Sequence, residues 1–330
     1  MVISSWERRT APCCCLVLAM LVWATFAIKP LKAAEGAGSF YLLGSKTSMA
    51  GFLPPPGTYV QDLNFFYSGS SEVALDLGGV EVTGGVDANL YYKLPTLLWV
   101  SDKKIFGGNI ALTAVAPIGW KDVSAAAEIR GPGGGVFFPG PFEDSGTHFG
   151  DPVVGGIIGW HRGNWHWNIT TLVNVPIGYW EVGSLDNIGF NRWGFDTTAA
   201  VTWLDPTVGL ELSIASGFTF HLENPDTDYK TGTEFHLEYA AVKNFSKELG
   251  IGVNGYFYQQ VEGDSGAGAR LGSFKGRTLA LGPVVNWNFV VGQIPVSTSF
   301  KYMREFDVEN RLEGDVGFVS LTMPLSAGPR

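Results

Sequence analysis

A few short segments of the sequence carry residue types that can do chemistry. The first, Gly263-Asp264-Ser265-Gly266, has the residues of a serine-protease nucleophile loop. Such a nucleophile needs a histidine within hydrogen-bond reach and a buried aspartate behind it, and no recognisable histidine motif lies upstream. Because Asp, Ser and Gly also favour turns, we interpret the segment as a turn in a glycine-rich loop and predict no enzymatic activity.

The second segment holds two histidines, His161 and His166, on either side of a predicted tight turn. A zinc site needs further ligands that converge on the same point. The other histidines, His148, His221 and His236, lie far away in sequence, on other predicted strands or loops. We therefore predict no metal ion and no other cofactor, and we place the pair at a membrane interface.

The third segment is the glycine-rich run Gly131-Pro132-Gly133-Gly134-Gly135. It lacks the Lys-Ser/Thr pair and the following helix of a phosphate-binding loop. Three aromatic residues, Phe137, Phe138 and Phe142, share its predicted loop. They either fold inward as a constriction or an apolar binding site, or they belong to a surface loop. The sequence leaves both interpretations open.

Charged side chains also recur at alternate positions of strand-like segments. In Val80–Lys93, VEVTGGVDANLYYK, one alternate set is apolar and the other is polar. A strand sends successive side chains to opposite faces, so we predict an apolar outer face and a polar inner face. Either a polar pore or a salt-bridge network bracing a closed barrel fits this pattern. The predicted lumen-lining residues are Glu81, Asp87, Lys93, Arg192, Asp196, Glu211, Glu234, Glu238, Lys301 and Glu305.

Twelve such segments follow one another between residues 58 and 325. Most connections alternate between long and short, as in an up-and-down barrel with long outer loops and short periplasmic turns. The exception is Leu94–Ile105, a long gap where a short turn is expected. A sandwich with Greek-key connections has no reason to sort its loops in this way. We predict an all-β fold, an up-and-down antiparallel transmembrane β-barrel of about 12 strands.

The composition agrees with this class. Charged residues make up 16% of the chain, whereas about a quarter is usual in soluble domains. The segment 1–34, with Arg8, Arg9 and the apolar run Cys13–Ile28, is typical of a signal peptide. It contains all three cysteines, and the remainder carries 18 Lys or Arg against 30 Asp or Glu. That acidity argues against nucleic acid as a partner.

An N-terminal arm, residues 35–57, separates the signal peptide from the barrel. It is rich in apolar residues, including Phe52, and ends in Pro54-Pro55-Pro56-Gly57. Prolines do not donate hydrogen bonds to a sheet, and apolar side chains gain by leaving water. We therefore expect the arm to act as a plug in the lumen, together with Phe137, Phe138 and Phe142.

Several short motifs occur in an order that resembles a known family. They are Glu35-Gly36-Ala37-Gly38, Tyr41-Leu42-Leu43-Gly44, Ala50-Gly51, Pro54-Pro55-Pro56-Gly57-Thr58-Tyr59, Asn191-Arg192-Trp193, Thr202-Trp203-Leu204-Asp205-Pro206, Gly209-Leu210-Glu211 and Asp264-Ser265-Gly266. Together they resemble the phenol meta-pathway degradation family, outer-membrane transporters of Gram-negative bacteria that are associated with aromatic catabolism. The resemblance implies an outer-membrane barrel similar in kind to the long-chain fatty-acid and toluene/xylene transporters.

The sequence and this resemblance lead to one expected function. We expect passive uptake of small hydrophobic compounds, plausibly aromatic ones, across the outer membrane of a Gram-negative bacterium. The expected partners are outer-membrane lipid and these solutes. Two alternatives stay open, namely an outer-membrane lipid hydrolase and a structural barrel that transports nothing.

Overall fold

The computed structural model describes residues 38–327, apart from 73–74, 78–79, 83, 127–128, 131–135, 139 and 271. The predicted signal peptide, residues 1–34, lies outside the described residues. Among the described residues, no helix is long and apolar enough to cross a membrane.

The described chain is built from antiparallel strands. In chain order they are β1 (Gly57–Ser71), β2 (Leu75–Leu77), β3 (Val80–Val82), β4 (Val86–Ile105), β5 (Gly108–Val115), β6 (Ile118–Ala125), β7 (Ile129–Arg130), β8 (Val136–Phe138), β9 (Phe142–Phe149), β10 (Val153–Arg162), β11 (Trp165–Asn174), β12 (Gly194–Asp205), β13 (Leu210–His221), β14 (Glu234–Asn244), β15 (Leu249–Gln260), β16 (Arg277–Val291), β17 (Ile294–Glu309) and β18 (Glu313–Ala327).

Fourteen of these strands form one closed sheet. From β10 to β18 each strand pairs with the next, and β1 closes the sheet by pairing with both β18 and β4. Two wall strands are interrupted, so that β5 with β6 and β9 with β10 each act as one strand. The result is a closed barrel of twelve antiparallel strands, which confirms the predicted fold class.

Loop lengths differ between the two ends of the barrel. Connections such as 175–193 and 261–276 lie at one end, here called the long-loop end, and turns of two to four residues lie at the other, the short-turn end. The predicted long gap Leu94–Ile105 is wrong, because β4 continues to Ile105 and turns at Phe106 and Gly107. Both turn residues have positive φ, 50° and 80°, as two-residue hairpin turns require. One connection at the long-loop end is short, since only residues 310–312 separate β17 from β18.

A second, small sheet at the long-loop end consists of β2, β3, β7 and β8. Glu81 lies on β3, where its Cα partners are Asp76 and Arg130. It therefore belongs to no wall strand; its side chain lies outside the described residues, and its place in the lumen stays a prediction. The strand pattern around Val80 continues into β4 in the sequence, but Gly84, with φ +106°, and Gly85 lie between the two strands.

The wall is interrupted beside two prolines, Pro117 and Pro152. Proline has no N–H to donate to a sheet, so strands tend to end there. The segment 175–193 covers this interruption, and the Tyr179 N–H donates to the Phe149 carbonyl at 2.8 Å. Asp151 fastens the segment further, because its carboxylate accepts the N–H groups of Gly178 and Phe190, each at 2.8 Å.

The face assignment differs between strands. On β12, Asp196 and Thr202 point inward and Phe195 and Val201 point outward, as the alternation predicts. On β4 the opposite holds. Val86, Ala88 and Leu94 are buried in the interior, so Asp87 and Lys93 lie on the outer surface, where Lys93 Nζ pairs with Asp62 Oδ2 at 3.0 Å.

The prediction that Asp87 and Lys93 line the lumen is therefore wrong. The physical reason is that a period of two determines which residues share a face, but not which face points inward. On β4 the inward face packs against apolar side chains from the arm and from neighbouring strands, among them Leu43 and Phe65.

Candidate functional site

The arm, described here from residue 38, runs through the barrel interior from the long-loop end to the short-turn end. Near the long loops, Ser39 Oγ donates to Glu234 Oε2 at 2.5 Å. Closer to the short turns, the Gly51 N–H donates to Thr202 Oγ1 at 2.9 Å. At the short-turn end, the Phe52 ring lies against His161 and His166, with centroids 5.3 and 5.1 Å apart. The arm therefore extends through most of the length of the lumen.

Two glycines permit this close approach between arm and wall. A Cβ on Gly51 would lie 2.4 Å from the His166 carbonyl oxygen, and a Cβ on Gly159 would lie 2.8 Å from Leu53 Cβ. Both separations are too short for any side chain. Gly44 also has φ +85°, a left-handed conformation that favours glycine, and it lies within the turns 43–46 that keep the arm out of the sheet.

One wall carboxylate, Glu211, holds the centre of the arm. Its side chain is 1% exposed. It accepts the Met49 N–H at 2.6 Å and the Ser48 hydroxyl at 3.1 Å, and Ser213 Oγ donates to it at 2.8 Å. A buried carboxylate is costly unless donors surround it. The arm supplies two of these donors, so Glu211 and the arm depend on each other.

Two lysines extend this contact along the lumen. Lys46, on the arm, donates through its backbone N–H to Glu238 at 2.7 Å, and through Nζ to Thr170 at 2.6 Å. From the wall, Lys301 Nζ donates to the carbonyl oxygens of Gly44 and Ser45 at 3.0 and 2.9 Å. Arm backbone groups that cannot join a strand ladder thus find partners on wall side chains.

Buried histidines and tyrosines surround the remaining carboxylates, which lie nearer the long-loop end. Asp196 contacts His236 at 2.8 Å, and the Tyr41 ring stacks on His236 with centroids 3.7 Å apart. Glu234 contacts His221 at 3.0 Å and accepts the Tyr258 hydroxyl at 2.8 Å. Most of the predicted lumen residues lie in this interior, namely Arg192, Asp196, Glu211, Glu234, Glu238, Lys301 and Glu305.

Opposite this polar wall lies a cavity of about 1610 Å³ beside the arm. Much of its surface is apolar and comes from β1, β4, β5, β10 and β11. These side chains are absent from the predicted lumen residues, although their alternation with outward residues is visible in the sequence. They are Leu63, Leu94, Leu98, Val115, Val153, Ile157 and Leu172.

The proposed loop aromatics occupy two different places. Phe142 begins β9 and packs against the buried cluster that contains Val82 and Val86. Phe137 and Phe138 belong to β8 in the small sheet, and their side chains lie outside the described residues. Phe52, by contrast, lies at the short-turn end of the lumen, and it lines the large cavity.

The remaining chemistry-bearing segments have structural partners. Asp264 accepts the Tyr229 hydroxyl at 2.6 Å and the Gly232 N–H at 3.0 Å, and burial raises the pKa of its carboxyl. The Nδ1 atoms of His161 and His166 lie 2.6 Å apart. In the part of the chain that the structure describes, no three His, Cys, Asp or Glu residues converge as metal ligands.

The family model described as "Putative MetA-pathway of phenol degradation" matches residues 72–321, which confirms the resemblance predicted from the motifs. No curated protein matches the chain. Among solved structures, the COG4313 outer membrane channel from Pseudomonas putida F1 is similar, with a TM-score of 0.62 and 13% identity over 84% of this chain and 97% of that chain. At this identity the likeness shows the fold alone, that of an outer-membrane channel.

Two further similar structures have lower scores. The beta domain of the Bordetella autotransporter Brka has a TM-score of 0.48 and 8% identity, over 82% of this chain and all of that chain. A FadL homologue from Pseudomonas aeruginosa has a TM-score of 0.41 and 10% identity, over 89% of this chain and 98% of that chain. Scores this low carry no argument about function.

Proposed function

The chain belongs to this phenol-degradation family, because the match spans more than half of its 330 residues, and on that premise we propose that it is an outer-membrane channel for passive uptake of small hydrophobic compounds, aromatic ones included. A signal peptide, residues 1–34, directs its export, and the barrel lies in the outer membrane of a Gram-negative bacterium. No covalent chemistry is part of this function.

The observation that carries the proposal is the apolar cavity beside the arm. A water-filled pore for sugars or ions needs a polar lining along its length, whereas this cavity is bordered on one side by Leu63, Leu94, Leu98 and Leu172. Apolar solutes gain free energy, about 25 cal/mol per Å² of surface removed from water, by entering such a space. Its volume of about 1610 Å³ exceeds that of a single aromatic ring many times.

The arm acts as the plug in this proposal. Its contacts with Glu211, Glu238 and Lys301 keep it on the polar wall, so that the passage left open is the apolar one. In this proposal the arm blocks the part of the lumen that would admit water and hydrophilic solutes. A flat apolar solute instead contacts the leucine and valine side chains of the cavity. The selectivity therefore comes from the position of the arm.

Uptake into proteoliposomes tests this function. Vesicles that contain the full-length protein and a trapped reporter are exposed to toluene, phenol or a monosaccharide. We expect fast entry of the first two and little swelling with the sugar. Leu98→Ser, inside the cavity, should slow toluene entry severalfold. Equal permeation by sugar and toluene would overturn the proposal.

The matched control is Leu97→Ser on the same strand. Leu97 points outward and is 48% exposed, so this variant makes the same change in polarity without altering the cavity lining. We expect Leu97→Ser to assemble and to keep the wild-type rate of toluene entry. If the two variants slowed entry equally, the cavity would not be the passage.

A further inference from the structure

A second cavity lies at the long-loop end, between the arm and the wall. Its volume is about 140 Å³, and it shares Tyr41, Leu42 and Tyr92 with the large cavity. An apolar cavity of about 150 Å³ accepts a benzene molecule in other proteins. The space is therefore of the right size for one aromatic ring at the entrance to the larger passage.

Basic side chains outnumber carboxylates in the lining of this small cavity. Three basic residues from three separate parts of the chain border it, namely Lys121 on β6, Arg192 before β12 and Arg311 between β17 and β18. Among the described lining residues, Glu305 is the one carboxylate. The formal charge around the cavity is therefore positive, in a lumen where carboxylates otherwise predominate.

Glu305 does not compensate these charges by hydrogen bonding. Its Oε1 accepts the Tyr256 hydroxyl at 2.7 Å. Its Oε2 accepts the Tyr67 hydroxyl at 3.0 Å and the Gly314 N–H at 3.0 Å. Because neutral donors occupy both oxygens, the carboxylate is held in place by the wall and forms no ion pair with a cavity cation.

Arg311 has donors available for another acceptor. Its guanidinium carbon lies 4.3 Å from the centroid of the Tyr258 ring, a cation–π contact that uses the face of the group and leaves its edge. Two of its donor groups, Nε and Nη1, are buried and have no hydrogen-bond partner among the described residues. A planar guanidinium presents its N–H groups in the geometry that a carboxylate matches.

We propose that this cavity binds an aromatic monocarboxylate of the size of benzoate, with the carboxylate on Arg311 and the ring against Leu42, Phe65 and Leu90. Lys121 and Arg192 add long-range attraction for the anion. This inference rests on the proposed function and narrows its substrate class, because the small cavity shares lining residues with the large one. An uncharged aromatic compound of the same shape would fill the space but would not balance the charge of the Arg311 guanidinium.

Calorimetric titration of the detergent-solubilised full-length protein tests the inference, with benzoate as ligand and benzyl alcohol as its neutral counterpart. Wild-type protein should bind benzoate at least about tenfold more tightly than benzyl alcohol, as expected where a buried charge pairs with its counter-charge. Arg311→Gln should abolish that difference, whereas Arg311→Lys should retain part of it. Equal binding of the two ligands by the wild type would overturn the inference without any variant.

Arg304→Gln is the matched control, because Arg304 lies at the same end but is exposed and pairs with Glu313 at 2.8 Å. It should bind benzoate as the wild type does. A change in electrophoretic mobility on heating shows that each variant is folded. If toluene uptake persisted without benzoate selectivity, the inference alone would fail. If benzoate bound selectively and toluene did not enter vesicles, the proposed function would fail instead.

Discussion

The two sides of the barrel interior differ in what they present to the arm. From β12 to β17 the inward face carries carboxylates and a lysine that bind arm backbone groups, for example Glu211 and Lys301. From β1 through β4 and β5 to β10 the inward face is largely apolar and borders the open cavity, for example at Leu98 and Ile157. Both sides come from strands with the same alternation of apolar and polar residues.

The difference shows that contact with the arm determines where the inward side chains of the wall are polar and where they are apolar. An arm with turns and three prolines leaves backbone N–H and C=O groups that need partners once buried, so the side on which it rests is polar. The other side receives no such groups, and its interior is therefore apolar. Its polar residues, such as Asp62, Asn64 and Lys93, lie on the outer surface.

Of the changes considered, removal of the arm should alter the difference between the two sides of the lumen most. Deleting residues 36–53 removes the donors that the arm supplies to Glu211, Glu234 and Glu238 and opens the lumen to water. We expect single-channel conductance in planar bilayers to rise severalfold and monosaccharides to pass. Unchanged conductance would place the arm outside the conducting path and remove the plug from the proposed function.

A charge placed inside the apolar side should have the next largest effect. Val86 is 1% exposed and packs with Ala88, Val123 and Ala125, so Val86→Arg buries an unpaired charge at a cost of about 3–5 kcal/mol. Asp87→Arg, one residue along, stays on the outer surface and should be tolerated. Heat-modifiable mobility after refolding measures assembly, and similar behaviour of both variants would contradict the inward orientation of this face.

A smaller effect is expected where one contact between arm and wall is weakened. Glu211→Gln turns an acceptor of several hydrogen bonds into a group that also donates, facing the Met49 N–H. We expect docking of the arm to weaken by about 1–3 kcal/mol, the cost of one unsatisfied buried group. Brief openings in bilayer recordings should become more frequent. Glu248→Gln, on an exposed turn, is the control and should leave the recordings unchanged.

The smallest effect is expected on the outer surface. Lys93 and Asp62 are 47% and 41% exposed, and exposed ion pairs contribute little to stability. Lys93→Ala should therefore change neither the urea midpoint of unfolding nor the entry of toluene. A marked loss of either would mean that this outer pair, and not the inward leucines of β4, supports the apolar side.

Much of the barrel follows from local patterns in the sequence. Twelve alternating segments, long and short connections and scarce charge together specify an antiparallel barrel, because hairpins pair neighbours along the chain. The positions of Asp196, Glu211, Glu234, Glu238 and Glu305 in the interior also agree with the alternation on their strands. There the polar face is long and uninterrupted, and the opposite face carries large apolar side chains.

Tertiary contacts decided what the alternation leaves open. A strand pattern is the same whichever face points inward, so only packing against the arm and its neighbours sets the inward face of β4 and leaves Asp87 and Lys93 outside. Glu81 lies in a small sheet because distant loop segments pair with each other. Lys121, Arg192 and Arg311 meet around one cavity although up to 190 residues separate them. Sequence spacing carries no signal for such contacts, because they form only when the barrel closes.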